Sequence, residues 1–338
     1  MSEYINFVCL PIVANRLLIC SMSVNKLEEN LKNILKKANI NTELPEYTKI
    51  LNWNHHSPSQ ITQPDDWFAF KYWHLTAKER AALKPNSKME GGAVIGQSVA
   101  QIFANKIYDR DKKQFFQNKD QKTFTNKDAV EAYKKYKPIS DNDKLEFDNN
   151  LDNIESILEQ TKKGIQEIGL AGNVVAEKPV KHTFTGCKLP VSGQIDLCDD
   201  TKFIEVKTKW RKRTGKFKSD GTPSFSIVQP KPYDDYYLQT AFYHFATKLE
   251  PYLLIVNEDS YKIYTKENCY ELQQENLKRI ALKIRHTCLR RERLAERHAG
   301  KTTWTNDIPL DLSNFKWDDE YKNTAENIWN ENLLTSTK

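Results

Sequence analysis

Three short segments in the middle of the chain constrain the fold more than any other part of the sequence. They are rich in β-branched residues and are separated by the turn dipeptides Thr185-Gly186 and Asp199-Asp200. Strands that follow one another through tight turns pair as neighbours, so the pattern predicts three consecutive antiparallel strands. The segments are 173–184, 189–198 and 202–208.

Helical periodicity surrounds these strands. The order of predicted elements is helix, three strands, helix and two strands, which is typical of a mixed α/β domain. A linker containing Gly215, Gly221 and Pro223 is expected between the third strand and the helix that follows it. The predicted helices are 90–108, 141–169, 233–249 and 277–298, and the two later strands are 252–257 and 261–264.

The 338 residues are predicted to divide into three parts. Residues 1–85 are expected to form an N-terminal helical and irregular region, with a helix over 23–40. Residues 86–300 form the α/β domain, and 301–338 are expected to form a C-terminal tail that packs back on it.

The six cysteines and the apolar N-terminus bear on the compartment of the protein. The cysteines lie far apart with no Cys-x-x-Cys pair, which argues against a zinc knuckle or a disulfide framework. The apolar run 5–24 contains Pro11, Asn15 and Arg16 and follows no basic stretch, which argues against a membrane anchor or signal. We therefore expect a cytoplasmic protein that does not bind membranes.

Asp196, Glu205 and Lys207 are the candidate chemical groups. Glu205 and Lys207 are two residues apart on a predicted strand, so both side chains leave on one face. If Asp199-Asp200 is a two-residue turn, position 196 pairs with 203, and Asp196 lies diagonal to Glu205 at about 7–8 Å. A similarly tight preceding turn places Glu177 opposite Asp196. Such carboxylates can share a divalent cation, Mg²⁺ or Mn²⁺.

The same register divides the strands into an acidic and an apolar face. Ile195 and Leu197 are expected to point with Ile204 and Val206 into the core. A cation on the acidic face would act on a phosphodiester as a Lewis acid, while Lys207 positions water or neutralises developing charge. Hydrolysis of DNA needs no further groups. The alternative is a solvated, salt-bridged sheet face without activity.

The stretch LPVSGQIDLCDDTKFIEVKTKW resembles the PD-(D/E)XK nuclease superfamily, in the RecB-like exonuclease branch that includes mitochondrial genome-maintenance and phage exonucleases. The resemblance implies a restriction-endonuclease-like fold, a mixed central sheet flanked by helices. It also implies catalytic roles for Asp196, Glu205 and Lys207. The stretch YYLQTAFYHFA resembles the Q-x3-Y motif of that branch, which implies that Gln239 and Tyr243 face the active site.

The stretch GGAVIGQSVAQIF resembles the upstream active-site helix of the same branch, which in relatives often supplies a His or Glu to the metal. Gly96 or Gln97 stands at that place here, and Gln97 is a candidate neutral ligand. Some relatives carry an iron–sulfur cluster on closely spaced cysteines near the C-terminus. Cys269 and Cys288 do not have that spacing, so no iron–sulfur cluster is expected.

Two basic segments are candidates for DNA binding, although the net charge is only +6. The first follows Lys207 and contains Trp210, which we expect to stack on a base. The second is the helix 277–298, where six of the chain's arginines are concentrated. The candidate residues are Lys209, Trp210, Arg211, Lys212, Arg213, Arg285, Arg290 and Arg291.

These features predict a Mg²⁺- or Mn²⁺-dependent exonuclease acting on DNA ends or single strands, in phage or bacterial DNA processing or recombination. A phage-encoded protein would work in the host cytoplasm, and a single-strand-binding or recombination partner is not specified by the sequence. A structure-selective or restriction-type endonuclease is one alternative. A DNA-binding module with a degenerate site is the other, because the upstream His or Glu is missing.

Overall fold

A seven-stranded mixed β-sheet forms the centre of the computed structural model, which describes residues 44–83, 85–119, 123–314, 317 and 319–335. The strand order is β2-β1-β3-β4-β5-β8-β9. The pairs β1/β3 and β5/β8 are parallel, and the other neighbours are antiparallel. The strands are β1 (Lys106–Asp109), β2 (Gln114–Gln117), β3 (Val175–His182), β4 (Val191–Cys198), β5 (Lys202–Thr208), β8 (Glu250–Val256) and β9 (Tyr261–Tyr264).

A separate two-stranded ribbon interrupts the path from β5 to β8. It consists of β6 (Lys212–Phe217) and β7 (Pro223–Ser226), which pair antiparallel. The sequence predicted an irregular linker here. Gly215 and Gly221 adopt positive φ angles of 74° and 81°, so they serve the bends of a ribbon.

Helices cover both faces of the sheet, as the sequence predicted. The long helix over 141–168 ends at Gly169, whose φ of 66° gives the left-handed cap that glycine favours. The helices are α1 (Glu46–Ile50), α2 (Pro58–Ile61), α3 (Asp65–Ala69, continued by a π-helical turn Phe70–His74), α4 (Ala77–Ala82), α5 (Ser87–Phe103), α6 (Asn126–Tyr133), α7 (Asp141–Ile168), α8 (Asp234–Thr247), α9 (Gln274–His298) and α10 (Asp319–Thr335).

Two hydrophobic cores lie on opposite faces of the sheet. Alternate residues of β8 show the division, because Leu253 and Ile255 pack beneath α8 and α9, whereas Leu254 and Val256 pack beneath α5 and α7. All four are fully buried. β8 is therefore a central strand covered on both sides, and it reads in the sequence as a continuous apolar run.

The described residues from Pro45 onward form one compact unit. Trp67 and Phe70, at the α3 end of the segment that the sequence assigned to the N-terminal region, share a core with Trp304, Trp317 and Trp329. The predicted helix over 23–40 and the apolar run 5–24 lie outside the described residues. No helix among those described is long and apolar enough to cross a membrane.

The predicted helix 90–108 is too long at its C-terminal end. Helix α5 ends at Phe103, and Tyr108 lies in β1, an edge-proximal strand that pairs parallel with β3. The amide of Asn118 donates to the carbonyls of Gln101 and Ala104 at 2.7 and 2.9 Å, which satisfies the end of the helix. Sequence periodicity alone did not separate the apolar helix end from the strand.

Candidate active site

Asp196, Glu205 and Lys207 lie together on the neighbouring strands β4 and β5. Lys207 Nζ donates to Glu205 Oε1 at 2.6 Å and to Gln239 Oε1 at 2.9 Å. Asp196 Oδ2 accepts the backbone N–H of Val206 at 2.8 Å, so this carboxylate replaces a ladder hydrogen bond between the two strands. The three side chains that the sequence singled out therefore form one charged cluster.

Glu205 has one carboxylate oxygen without a partner. Its side chain is 1% exposed, yet Oε2 accepts no hydrogen bond. Burial raises the pKa of Glu205, although the ammonium of Lys207 opposes the shift. A buried carboxylate oxygen left unpaired costs free energy. Glu258, the partner of Arg211, also has an unpartnered Oε2, so what distinguishes Glu205 is that it lines a cavity together with Asp196 and Glu177.

Burial also affects the pKa values of the two neighbouring groups, Asp196 and Lys207. Burial, reinforced by the charge of Glu205, raises the pKa of Asp196 well above its ordinary value. Burial acts against the ammonium of Lys207, but Glu205 and Asp196 outweigh it and raise the pKa of Lys207. The lysine therefore stays protonated, while the carboxylates lack full compensation.

Gln239 and Tyr243 lie on one face of α8, four residues apart, and both reach the cluster. Gln239 turns its amide oxygen to Lys207 and donates from Nε2 to the Tyr243 hydroxyl at 3.1 Å. The same hydroxyl accepts the backbone N–H of Gln194 at 3.1 Å. A β-carbon at Gly193 would lie 2.8 Å from this hydroxyl, so only glycine leaves room for Tyr243 here.

Glu177 lies on β3 between two regularly paired positions, and that register places it opposite Asp196. Its φ of 53° is unusual for a residue with a β-carbon, and such strain is concentrated at functional sites. The alternation of β4 changes at the same level, because Leu197 packs beneath α5 and α7 whereas Ile195 packs beneath α8 and α9. The prediction that Ile195 and Leu197 share one face is therefore wrong.

The predicted position of the turn between β4 and β5 is wrong by one residue. Cys198 pairs with Phe203 and Leu197 with Ile204, and the N–H of Asp199 donates to the carbonyl of Lys202 at 3.0 Å, so residues 200 and 201 form the tip instead of 199 and 200. The carboxylate of Asp199 accepts the N–H groups of Thr201 and Lys202 at 2.7 and 2.9 Å and stabilises this turn. Position 203 therefore pairs with 198, and the predicted pair of 196 with 203 does not form.

Two cavities meet at Asp196, with volumes of about 460 and 860 Å³. The smaller extends over Gly193 and Tyr243, and the larger extends past Gln97 on α5. Gln97 thus shares a cavity with Asp196, Glu205 and Glu177, as expected for a candidate ligand. Gly96 also lines this cavity, and a β-carbon there would meet nothing within 4 Å.

The donor set suits a hard divalent cation, which prefers oxygen ligands. Asp196 and Glu205 offer carboxylate oxygens, and the unpartnered Oε2 of Glu205 is free to accept a cation. Within the described residues, no three His, Cys, Asp or Glu side chains already form a metal cluster. Glu177 differs from these two carboxylates because its Oε2 already accepts a hydrogen bond from Arg110 NH2 at 2.8 Å.

Arg110 is a site residue that the sequence analysis missed. It follows β1, its side chain is 69% exposed, and it lines both cavities. The segment around it is polar and weakly patterned, so no sequence signal places it near β4 and β5. Only the parallel pairing of β1 with β3 brings it beside Glu177.

Trp210 does not face the cavities, and the expected base stacking by this residue is wrong. It is 7% exposed and packs against Gly91, where a β-carbon would lie 2.5 Å from its ring. Lys209 is buried as well, with Nζ 3.1 Å from the ring centroid of Tyr233 and 3.1 Å from the hydroxyl of Tyr236. Burial lowers the pKa of Lys209 to about 8.

The other residues of the first basic segment differ in exposure. Arg211 donates from Nε to the buried Glu258 at 2.6 Å, which is a structural ion pair. Lys212 is exposed on the ribbon, and Arg213 donates to Asn142 at 3.0 Å. Of the predicted DNA-binding residues, Lys212 and Arg213 therefore lie on the ribbon. Lys209, Trp210 and Arg211 instead make contacts within the fold.

The predicted DNA contact by Arg291 is wrong. Arg291 is 1% exposed, donates to the carbonyls of Gln60 and Gln63 and to Asp65, and packs over Phe68. Arg290 is exposed and paired with Asp65 at 2.6 Å, and Arg285 donates to the carbonyl of Thr185 at 2.8 Å. Neither cavity is lined by any of the three arginines.

Comparison of the chain with protein-family models, curated proteins and solved structures finds no match.

Proposed function

We propose that this protein is a divalent-cation-dependent deoxyribonuclease of the PD-(D/E)XK type, acting as an exonuclease on linear or single-stranded DNA. The observation that carries the proposal is the buried cluster in which Lys207 binds one oxygen of Glu205 while the other oxygen stays unpartnered beside Asp196. A simple salt-bridged sheet face would be solvated, whereas this carboxylate is buried at the wall of a cavity that Asp196 and Glu177 also line.

In this proposal Asp196 and Glu205 hold the cation, Mg²⁺ or Mn²⁺, and Gln97 lies in the same cavity. When bound, the cation supplies Lewis-acid activation of the phosphodiester and lowers the pKa of a water. Lys207 contributes a fixed positive charge that offsets the negative charge developing on the phosphate. Gln239 holds Lys207 in place, and Tyr243 in turn holds Gln239.

The protein is proposed to bind DNA through the exposed ribbon and the rims of the two cavities. No element suited to reading base edges stands out in the sequence, which favours binding to the phosphate backbone. This supports an exonuclease over a restriction-type endonuclease. Incubation of end-labelled linear DNA and of closed circular DNA with Mg²⁺ tests the proposal, since linear DNA should be degraded and circles spared. Cutting of the circles would favour the endonuclease.

A DNA-binding module without activity is the second candidate. The exposed, neutral Gln97 favours it, because this helix supplies no charged ligand to the cavity. Both candidates predict DNA binding. Only the nuclease predicts product formation that depends on Mg²⁺ and stops in EDTA.

A further inference from the structure

Arg110 occupies a position that the proposed chemistry has not used. Arg110 lies where the two cavities meet, and among the residues that the structure describes it is the only arginine that lines either of them. Its NH2 donates to Glu177 Oε2 at 2.8 Å, while most of its side chain remains exposed. A planar, permanently charged donor fork at this place suits a phosphate group.

The charges of the site indicate why Arg110 is paired with Glu177. The larger cavity is lined by four carboxylates (Glu177, Asp196, Glu205 and Asp235) and three basic groups (Lys88, Arg110 and Lys207), so one negative charge is uncompensated when every group is ionised. A divalent cation would convert this to one positive charge. That balance matches the single negative charge of a phosphodiester.

Glu177 is held in a strained conformation that aims it at the same place. Its left-handed backbone lies opposite Asp196, and its side chain keeps part of its surface in the cavity. Arg110 therefore competes with any cation for this carboxylate. A cation that engages Glu177 would release a guanidinium already located at the mouth of both cavities.

We propose that Arg110 is a phosphate-binding residue, paired with Glu177 in the cation-free protein and transferred to the substrate phosphodiester when a divalent cation engages Glu177. This inference rests on the proposed function. It predicts effects of opposite sign: loss of Arg110 strengthens cation binding, because a competing charge disappears, and weakens DNA binding, because a charge-assisted hydrogen bond is lost.

The test is calorimetric titration of the full-length protein with Ca²⁺, together with single-stranded oligonucleotide binding by fluorescence anisotropy in Ca²⁺ and in EDTA. In Arg110→Ala we expect Ca²⁺ affinity to rise about threefold or more and DNA affinity in Ca²⁺ to fall about tenfold. In Glu177→Gln, DNA affinity in EDTA should rise, because Arg110 is free.

Lys112→Ala is the matched control. Lys112 lies in the same turn, is exposed and pairs with Asp109, but lines neither cavity. It should leave both affinities within about twofold of the wild type. Parallel losses of Ca²⁺ and DNA affinity in Arg110→Ala, or unchanged DNA affinity, would overturn the inference alone. Absence of Ca²⁺ binding by the wild-type protein would overturn the proposed function as well.

Discussion

The hydroxyl of Tyr243 lies so close to Gly193 that a β-carbon at Gly193 would stand 2.8 Å from it. Gly193→Ala should therefore push Tyr243 away from Gln239, which in turn holds Lys207. We expect DNA cleavage to fall at least about tenfold and the free energy of unfolding to fall by about 1–3 kcal/mol. Single-turnover cleavage and urea unfolding measure the two effects.

The double variant Gly193→Ala/Tyr243→Leu is the control for this contact. A β-carbon at Gly193 would also lie 2.9 Å from the ring carbon Cε1, so the whole ring is removed, and the double variant should be less destabilised than the sum of the two single variants. Additive destabilisation by the two substitutions would show that the contact does not explain the glycine.

Asp196→Asn should stabilise the cation-free fold at neutral pH. Burial and Glu205 raise the pKa of Asp196, so the folded protein binds its proton more tightly than the unfolded chain does. The associated stability is present below the unfolded pKa and is lost as pH rises through the folded pKa. At pH 7 to 8 the substitution removes this unfavourable charge and should raise the Tm by about 2 °C or more.

Thermal unfolding of the wild type and of Asp196→Asn in EDTA, at pH 4 and at pH 8, checks the sign of this pH dependence. The gain from Asp196→Asn should be larger at pH 8 and small at pH 4, where the aspartate is protonated in the folded protein and only about half ionised in the unfolded chain. The asparagine oxygen can still accept the Val206 N–H, so the ladder bond is kept. A larger gain at pH 4 would contradict the account of this carboxylate.

Arg291 should stabilise the fold, whereas its neighbour Arg290 should not. Arg291→Gln leaves two carbonyls and Asp65 without their buried donor, and we expect a loss of about 3–5 kcal/mol in the free energy of unfolding. Arg290→Gln removes an exposed partner of the same Asp65 and should cost less than about 1 kcal/mol. Urea unfolding of both variants compares them, and equal losses would contradict the structural role of Arg291.

The ribbon should carry more of the DNA contact than helix α9. Lys216 and Lys218 are exposed, and neutralising both to Gln should flatten the salt dependence of single-strand binding by about 0.7 per lost contact. Lys278 and Lys283, exposed on α9, provide the matched double variant, which should leave the slope unchanged. A reversed outcome would assign the phosphate contacts to the helix.

The sequence predicted the α/β fold because its elements have strong local signals. The strands at 191–198 and 202–208 and the helix at 141–168 show clear periodicity and are closed by turn or cap residues, as at Gly169. Glu205, Lys207, Gln239 and Tyr243 converge because fixed spacing on a strand or helix determines a shared face. Residue spacing along the strands and helices was therefore enough to predict the α/β fold and the residues at the centre of the site.

Burial and long-range pairing could not be predicted in the same way. Trp210 and Arg291 occur in basic segments typical of DNA-binding surfaces, but contacts with Gly91 and with the α2–α3 connection bury them. Arg110 joins the site through the pairing of β1 with β3, which has no local sequence signal. The reversal of side-chain direction near Asp196 coincides with the positive φ of Glu177 on the paired strand, and alternation in the sequence reveals neither.

Single-turnover cleavage of end-labelled linear DNA in Mg²⁺ by the wild type and by Asp196→Asn, with oligonucleotide binding measured in parallel in Ca²⁺, tests the central claim most directly. The wild type should cleave, and Asp196→Asn should lose about a thousandfold in rate while still binding DNA. Cleavage by Asp196→Asn at the wild-type rate, or wild-type cleavage that persists in EDTA, would contradict the assignment of the active site.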